Sequence, residues 1–402
     1  MKYVVVIGDG MADWKVDSLG RRTPLEAASK PHADFMAKNG VCGLAQIVSK
    51  DMYPGSDVSN ISILGYDPKE YYTGRSPLEA ASIGVDISPT DVAVRCNIVT
   101  IEGAIPAGTM VDYSAGHIST EESRRLLTIL NAATASLGVE FFPGVSYRNL
   151  MVWRNGRESV TTVPPHDIMG KPIRDFLPSG EGSEVLVEIM KKSMEVFSNQ
   201  TPEAPLTGGK KNSATSVWLW GQGKAPKMPP FEEKFGVAGS IIAAVDLIRG
   251  IGIYLGMDIV EVPGATGYID TNFEGKGKYC LQELEKKDFV LVHVEAPDEA
   301  GHNGDAADKV KAIEDIDRHI IGPILERAKG KGDLRVLFLP DHPTPVAIRT
   351  HSNEPVPFVM YPKLKNSRDF SAARYTEDEA RKTGYFVERG FDLMPIFLGL
   401  KS

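Results

Sequence analysis

Asp9, Asp298, His302, Asp341, His342 and His351 are carboxylates and imidazoles standing at the ends of short apolar runs. Val4–Ile7 leads into Gly8-Asp9-Gly10, and Phe289–Val294 into Pro297-Asp298, with His302 four residues on. Val336–Leu339 leads into Pro340-Asp341-His342, and His351 stands before the run Val356–Tyr361. A single Asp after a strand is ordinarily a turn residue or a helix cap. Repeated pairing of acid with imidazole is poorly explained that way. Ligands of open α/β sheets bind beyond the carboxyl ends of the strands, so these ends are expected to meet. Carboxylates mixed with imidazoles suit Mn²⁺ or Zn²⁺, with Mg²⁺ and Co²⁺ as further candidates. Six such groups exceed what one tetrahedral ion needs. A pair of divalent ions about 3.5–4 Å apart, clamping the oxygens of an in-line phosphoryl displacement, is the expectation.

The displacement needs a nucleophile. In "PGSDVSNISILGYDP", residues 54–68, Pro54-Gly55 makes a turn and Ser56 opens a predicted helix. A hydroxyl there sits among unpaired N–H groups at the positive end of the helix dipole, which favours an alkoxide and then a phosphoserine. A plain N-cap is the alternative role; Ser59 and Ser62 would lie inside the helix, with worse access. Oxyanion recognition calls for groups such as Arg, whose planar fork matches carboxylate and phosphate. Arg75, Arg95, Asn97, His117, Arg148, Lys210 and Lys224 are the substrate-binding candidates, carried partly by "AVRCNIV", "YSAGHIST" and "SYRNLMV". Lys224 falls in "WLWGQGKAP", read as a Gly-rich loop able to approach an anion.

Such side chains need a scaffold. The β-branched runs named above suit strands buried on both faces of a parallel sheet. Helical periodicity over Glu26–Lys38, Ile241–Leu255 and Ala306–Lys329 places helices between them. Alternating strands and helices predict an α/β, doubly wound domain. The middle of the chain differs, with strands at Val92–Ile101 and Leu150–Arg154 and helices at Thr120–Leu137 and Glu184–Ser198. It predicts an α+β substrate domain at residues 76–207, inserted into a discontinuous main domain made of 1–75 and 208–402. Asn199–Asn212, rich in Pro, Gly and Thr, is read as the return linker.

Composition bounds the partners. A net charge of -8 leaves no excess of Lys and Arg for nucleic acid. The most apolar long window, Val237–Gly256, is interrupted by Asp246 and Arg249 and predicts an amphipathic helix, not a membrane span. Three scattered cysteines, Cys42, Cys96 and Cys280, fit a reducing cytoplasm. A small phosphorylated substrate is the expected partner.

Taken in order, "VVVIGDGMAD", "GSDVSNISILGYDP", "TGRSPLEAASIG", "WLWGQG", "EAPDEAGHNGD" and "LPDHPTPVAIRTHSNEPVPF" resemble the archaeal-type, cofactor-independent phosphoglycerate mutases of the alkaline phosphatase superfamily. The resemblance runs nearly end to end. It implies an alkaline-phosphatase-like fold and two metals, one held by Asp298, His302 and His351, the other by Asp9, Asp341, His342 and Ser56. It also implies a phosphoryl shift between the 2- and 3-hydroxyls of glycerate through a phosphoserine at Ser56, without 2,3-bisphosphoglycerate, with the domains closing on substrate. Two departures concern the acceptor. The family's "GH" after the nucleophile reads Ser59-Asn60, and "SAGRIST" reads with His117 in place of Arg. The "MKY…GDGMAD" opening also resembles a branch proposed to act as a homoserine kinase, which gives an alternative phosphotransferase on the same metal–serine machinery. No Walker A or kinase Gly-rich loop supports nucleotide use.

Overall fold

The computed structural model describes residues 1–200, 214–363 and 368–401. In chain order its strands are β1 (Lys2–Gly8), β2 (Val41–Ala45), β3 (Val92–Glu102), β4 (Thr109–Asp112), β5 (Val139–Val145), β6 (Arg148–Trp153) and β7 (Ser216–Gly223). They continue with β8 (Gly239–Ile242), β9 (Asp258–Ile259), β10 (Phe289–Val294), β11 (Leu334–Leu339), β12 (Val356–Tyr361) and β13 (Phe386–Val387). The chain forms two compact units: Met1–Tyr72 with Lys227–Ser402, and Thr73–Pro226.

The first unit is built on an eight-stranded sheet in the order β13-β2-β12-β11-β1-β10-β8-β9. β1 lies parallel between β10 and β11, with Val5 level with Leu291 and Leu337. These strands are apolar along their length because both faces are covered. Val4, Val6, Val292, Val336 and Phe338 join Ile313, Ile316, Ile320 and Ile324 in one core. On the other face the rings of Tyr3 and Phe397 meet edge to face at 5.7 Å.

The sheet is not wholly parallel. β12 runs antiparallel to both β11 and β2. This corrects the reading of Val356–Tyr361 as one more parallel strand. It also has a use: an antiparallel strand starts at the edge where its neighbour ends, so His351, which precedes β12, stands at the same edge as Asp341, which follows β11. Val237–Gly256 is likewise not one helix. It contains β8 and then a helix at Asp246–Tyr254. Glu26–Lys38 is two short helices, Pro24–Ala27 and Pro31–Asn39. Proline has no N–H and disfavours a helical residue before it, so Pro31 starts a new helix.

In the second unit β3 is central, with β6, β7 and β4 antiparallel to it and β5 beyond β6. The helices Thr120–Thr134 and Ser183–Ser198 cover one face through Leu126, Leu130, Ile189 and Phe197, packed with Val94, Cys96 and Met151. The return to the first unit comes at Pro226–Lys227, not at 207–208. "WLWGQG" is the reason. It is no loop but most of β7, paired with β3 from Val99↔Ser216 to Ala93↔Gly223. Lys210 and most of the expected linker lie outside the described residues.

Candidate active site

The first unit gathers Asp9, Ser56, Asp298, His302, Asp341, His342 and His351 beyond one edge of its sheet. Asp9 directly follows β1. Gly10 has φ +61, and a Cβ on it would lie 2.5 Å from Asp298 Oδ1 and Thr344 Oγ1, so glycine lets the β1 loop close on the Asp298 helix. Asp298 and His302 share one face of the Ala296–Asn303 helix, with Asp298 Oδ2 3.1 Å from His302 Nε2. Ser56 is the first residue of the Ser56–Ile63 helix and is 8% exposed. Asn60, one turn on, donates to the Ser56 carbonyl at 2.8 Å and to Asp341 Oδ2 at 3.1 Å, tying the Ser56 helix to the β11 loop.

Two sets of donor atoms result. His342 Nε2 lies 3.3 Å from Ser56 Oγ, 3.5 Å from Asp9 Oδ1 and 3.5 Å from Asp341 Oδ2. His302 Nε2 lies 3.1 Å from His351 Nε2, and His351 Nε2 lies 3.6 Å from Asp298 Oδ1. Donors at roughly 2.0–2.2 Å from a shared tetrahedral ion stand roughly 3.3–3.6 Å apart, so both sets are spaced to hold a divalent cation. The rings of His342 and His351 stack at 4.0 Å, which puts the sets side by side. Both oxygens of Asp9 are buried without a hydrogen-bond donor. A buried carboxylate left so is costly unless a cation compensates it. The residues present therefore fit bound metal.

Electrostatics agree with that fit. Burial pushes the Asp9 carboxyl well above its usual range, and Asp341 and Asp298 push it further. Burial alone would raise Asp298 too, but the His302 hydrogen bond and the charges of His342, His302 and His351 hold it below the usual carboxylate range. The Asp298 hydrogen bond lifts His302 to about 9, whereas burial drops His351 to about 4. A bound cation reverses the sign of this crowding among carboxylates.

Some participants were missed from sequence. His293, fully buried within β10, has Nε2 3.0 Å from Asp9 Oδ2. Its signal was a histidine inside an otherwise apolar strand. Thr344 donates to Asp298 Oδ1, and Lys309 binds the carbonyls of Ala12 and Thr344 from behind. Neither belongs to a motif that spacing alone would single out.

The remaining candidates sit in the second unit. Asn97 and Arg148 are opposite each other on β3 and β6. Asn97 accepts from Trp220 Nε1 at 3.0 Å and donates to the Tyr113 carbonyl at 3.2 Å. Arg95 lies over the Trp220 ring at 4.7 Å and pairs with Glu79. Arg148 lies over Tyr147 at 5.2 Å, and the His117 ring is 6.1 Å from that tyrosine. The structure thus brings Arg95, Asn97, His117 and Arg148 into one neighbourhood lined by aromatic rings. Ala115, Gly116 and His117 all have positive φ, an unusual run of left-handed residues. Arg75 begins the Arg75–Ser82 helix. Lys224 follows a strand instead of lying in a glycine loop, and its ammonium is engaged by Glu158 at 3.3 Å.

The chain was compared with known proteins. Residues 37–202 match the family model described as 2,3-bisphosphoglycerate-independent phosphoglycerate mutase. A relative from Geobacter sulfurreducens is 51% identical over 400 residues, covering 99% of this chain and 100% of its own. The 2,3-bisphosphoglycerate-independent phosphoglycerate mutase of Methanosarcina barkeri is 48% identical over 404 residues, covering 100% of both chains. The chain belongs to this family. Family membership makes it a metal-dependent isomerase acting on a small phosphorylated substrate. Among solved structures, the cofactor-independent phosphoglycerate mutase of Thermoplasma acidophilum matches with a TM-score of 0.70 at 25% identity, covering 100% of each chain. The PH0037 protein of Pyrococcus horikoshii matches with a TM-score of 0.83 at 30% identity, covering 99% of this chain and 97% of its own. No helix among the described residues is long and apolar enough to cross a membrane.

Proposed function

We propose that this protein interconverts 3- and 2-phosphoglycerate through a phosphoserine at Ser56. The observation that carries the reading is the spacing of Ser56 Oγ, His342 Nε2, Asp9 Oδ1 and Asp341 Oδ2, within 3.3 to 3.5 Å of the imidazole nitrogen. Asp9, Asp341, His342 and Ser56 would hold one cation, and Asp298, His302 and His351 the other. When bound, the cations lower the pKa of the serine hydroxyl and neutralise phosphoryl oxygens. Mn²⁺ or Zn²⁺ suits these donors, with Co²⁺ and Mg²⁺ as alternatives.

Ser56 Oγ attacks the phosphorus of 3-phosphoglycerate. The Ser56 O–P bond forms, the bond to the 3-oxygen breaks, and the serine proton passes to the released 3-hydroxyl. The 2-hydroxyl then attacks phosphoserine, its proton returns to Ser56, and no water is consumed. Asn60 holds Ser56 and Asp341 in register throughout. Arg95, Asn97, His117 and Arg148 form the group proposed to grip the glycerate. His117, in place of the Arg of the motif it resembles, offers a carboxylate fewer N–H donors than a guanidinium fork would. The cytoplasm is the proposed compartment, in keeping with three buried free thiols.

The test is a coupled assay of the purified chain with Mn²⁺. Conversion of 3- to 2-phosphoglycerate without 2,3-bisphosphoglycerate is expected. Steady phosphate release without the isomer, or phosphorylation of homoserine with no action on phosphoglycerate, would overturn the reading.

A further inference from the structure

Asp112 ends β4 and spends its carboxylate wholly on the turn that follows. Its Oδ1 accepts from Ser114 N at 2.8 Å and from Ser114 Oγ at 2.6 Å, and its Oδ2 from Gly116 N at 2.6 Å. Ser114 Oγ accepts in turn from His117 N at 3.3 Å. Burial alone would raise the Asp112 carboxyl, but these donors and the charge of His117 hold it below its usual range. The turn so held is one that few sequences adopt unaided. Ala115, Gly116 and His117 have φ 49, 70 and 55, and left-handed backbone is unfavourable for alanine and histidine. Strain of this kind persists only where the surroundings over-determine it. A second fastening comes from the turn between β5 and β6. There Ser146 donates from Oγ to the Ile118 carbonyl at 2.6 Å and from N to Thr120 Oγ1 at 3.0 Å. Tyr147 and Arg148 follow it directly, and Asn97 donates to the Tyr113 carbonyl within the fastened stretch. His117 and Arg148 are both exposed, and Arg148 pairs with no carboxylate among the described residues.

We propose that Asp112 is a positioning residue for substrate: it locks the left-handed turn so that His117 stands against Tyr147, beside Arg148. This rests on the reading of Arg95, Asn97, His117 and Arg148 as the group that grips the glycerate. A guanidinium finds a carboxylate at the end of a long, adaptable side chain. An imidazole has two rotatable bonds and goes where its backbone puts it. With histidine at 117, the turn must therefore be set before substrate arrives, and Asp112 sets it.

The experiment is a double-mutant cycle on the full chain with Mn²⁺, using Asp112→Ala, His117→Ala and the pair together. Each single variant is expected to raise KM for 3-phosphoglycerate about tenfold or more, the loss of one hydrogen bond to a charged group, with kcat near wild type. If Asp112 acts through His117, the double variant has a KM no higher than that of His117→Ala. Multiplying effects, a loss in kcat instead of KM, or a His117→Ala variant with unchanged KM would each overturn the proposal. Should Asp112→Ala fail to fold, judged by near-ultraviolet circular dichroism, Asp112→Asn takes its place, since it keeps one oxygen for Ser114 and loses the anionic pair. Proton–carbon NMR of the His117 ring, assigned by its absence from His117→Ala, separates this inference from the functional reading. The signal should move toward that of a free histidine when Asp112 is replaced, and an unmoved signal overturns the positioning role whatever the substrate. A moved signal in a protein that does not isomerise phosphoglycerate supports the lock and defeats only the reading.

Discussion

Arg349 shows how a single residue is strained beside the convergent acids and imidazoles. Its φ is 54, in the left-handed region where a non-glycine side chain costs on the order of 1–3 kcal/mol. In that conformation its carbonyl accepts from His302 Nδ1 at 3.0 Å. With Nδ1–H given to that carbonyl, the ring is held so that Nε2 is the atom turned toward Asp298 and His351. Arg349→Gly keeps the carbonyl in place and relieves the strain, so metal affinity should hold and stability should not fall. Arg349→Val should cost about 1–2 kcal/mol and weaken metal binding, because a β-branched residue resists that region. Urea melts and metal titrations of both variants check this; a Val variant equal to the Gly variant would refute it. At Ser56 the expectation is sharper. Ser56→Ala removes the atom that carries the phosphoryl group, so turnover should fall by at least about 10³-fold while the melting temperature stays near that of the wild type. Residual isomerase activity near wild type would move the nucleophile elsewhere.

At the scale of elements, one lysine joins the loops that carry the convergent acids. Lys309, on the Ala306–Ile316 helix, donates to Asp13 Oδ2 at 2.6 Å, and both side chains are fully buried. Asp13 also accepts from Val346 N at 3.1 Å. The pair staples the loop after β1 to the loop after β11. Asp13→Asn should cost about 3–5 kcal/mol in denaturant melts and lower metal affinity, because a buried ammonium is left without its counter-charge. Replacing both partners by apolar residues should cost less than breaking the pair; the opposite order would show that the charge itself is not at issue. The staple was not legible in the sequence, whereas the convergence of the acids and imidazoles was. Asp9, Asp298 and Asp341 announce themselves because each interrupts an apolar run at its end. Lys309 sits in an ordinary helical pattern, and its partner is 296 residues away. Strand direction was equally silent: Val356–Tyr361 reads the same whether parallel or antiparallel, since both its faces are covered. β7 was hidden by its glycines, which look like a loop until β3 is there to pair with them.

For the molecule as a whole, the concentration of buried charge makes stability depend on pH and on metal. Glu377 lies where Asp13 N and Thr23 Oγ1 donate to it, and burial lifts its carboxyl from 4.5 to about 7. Between those values the unfolded chain has lost a proton that the folded chain retains. The folded state binds more protons, so stability falls as pH rises through this window and levels off above it. Glu377→Gln cannot titrate. Its melting temperature relative to wild type should therefore climb between about pH 4.5 and pH 7, and a constant difference would rule out the linkage. Metal acts in the opposite sense, by relieving repulsion. Without cations, Asp9, Asp298 and Asp341 converge at one edge of the sheet. Ions that bind only the folded state stabilise it by about 2.7 kcal/mol at a hundred times their dissociation constant. Removing metal with EDTA should thus lower the melting temperature, and Mn²⁺ should restore it in proportion to the logarithm of its concentration. The Asp341→Asn variant, with one of the converging charges gone, should respond less and lose turnover. A melting temperature indifferent to Mn²⁺ would mean that the convergent acids are neutralised by protons, and the metal-dependent chemistry built on Ser56 would have no ion to support it.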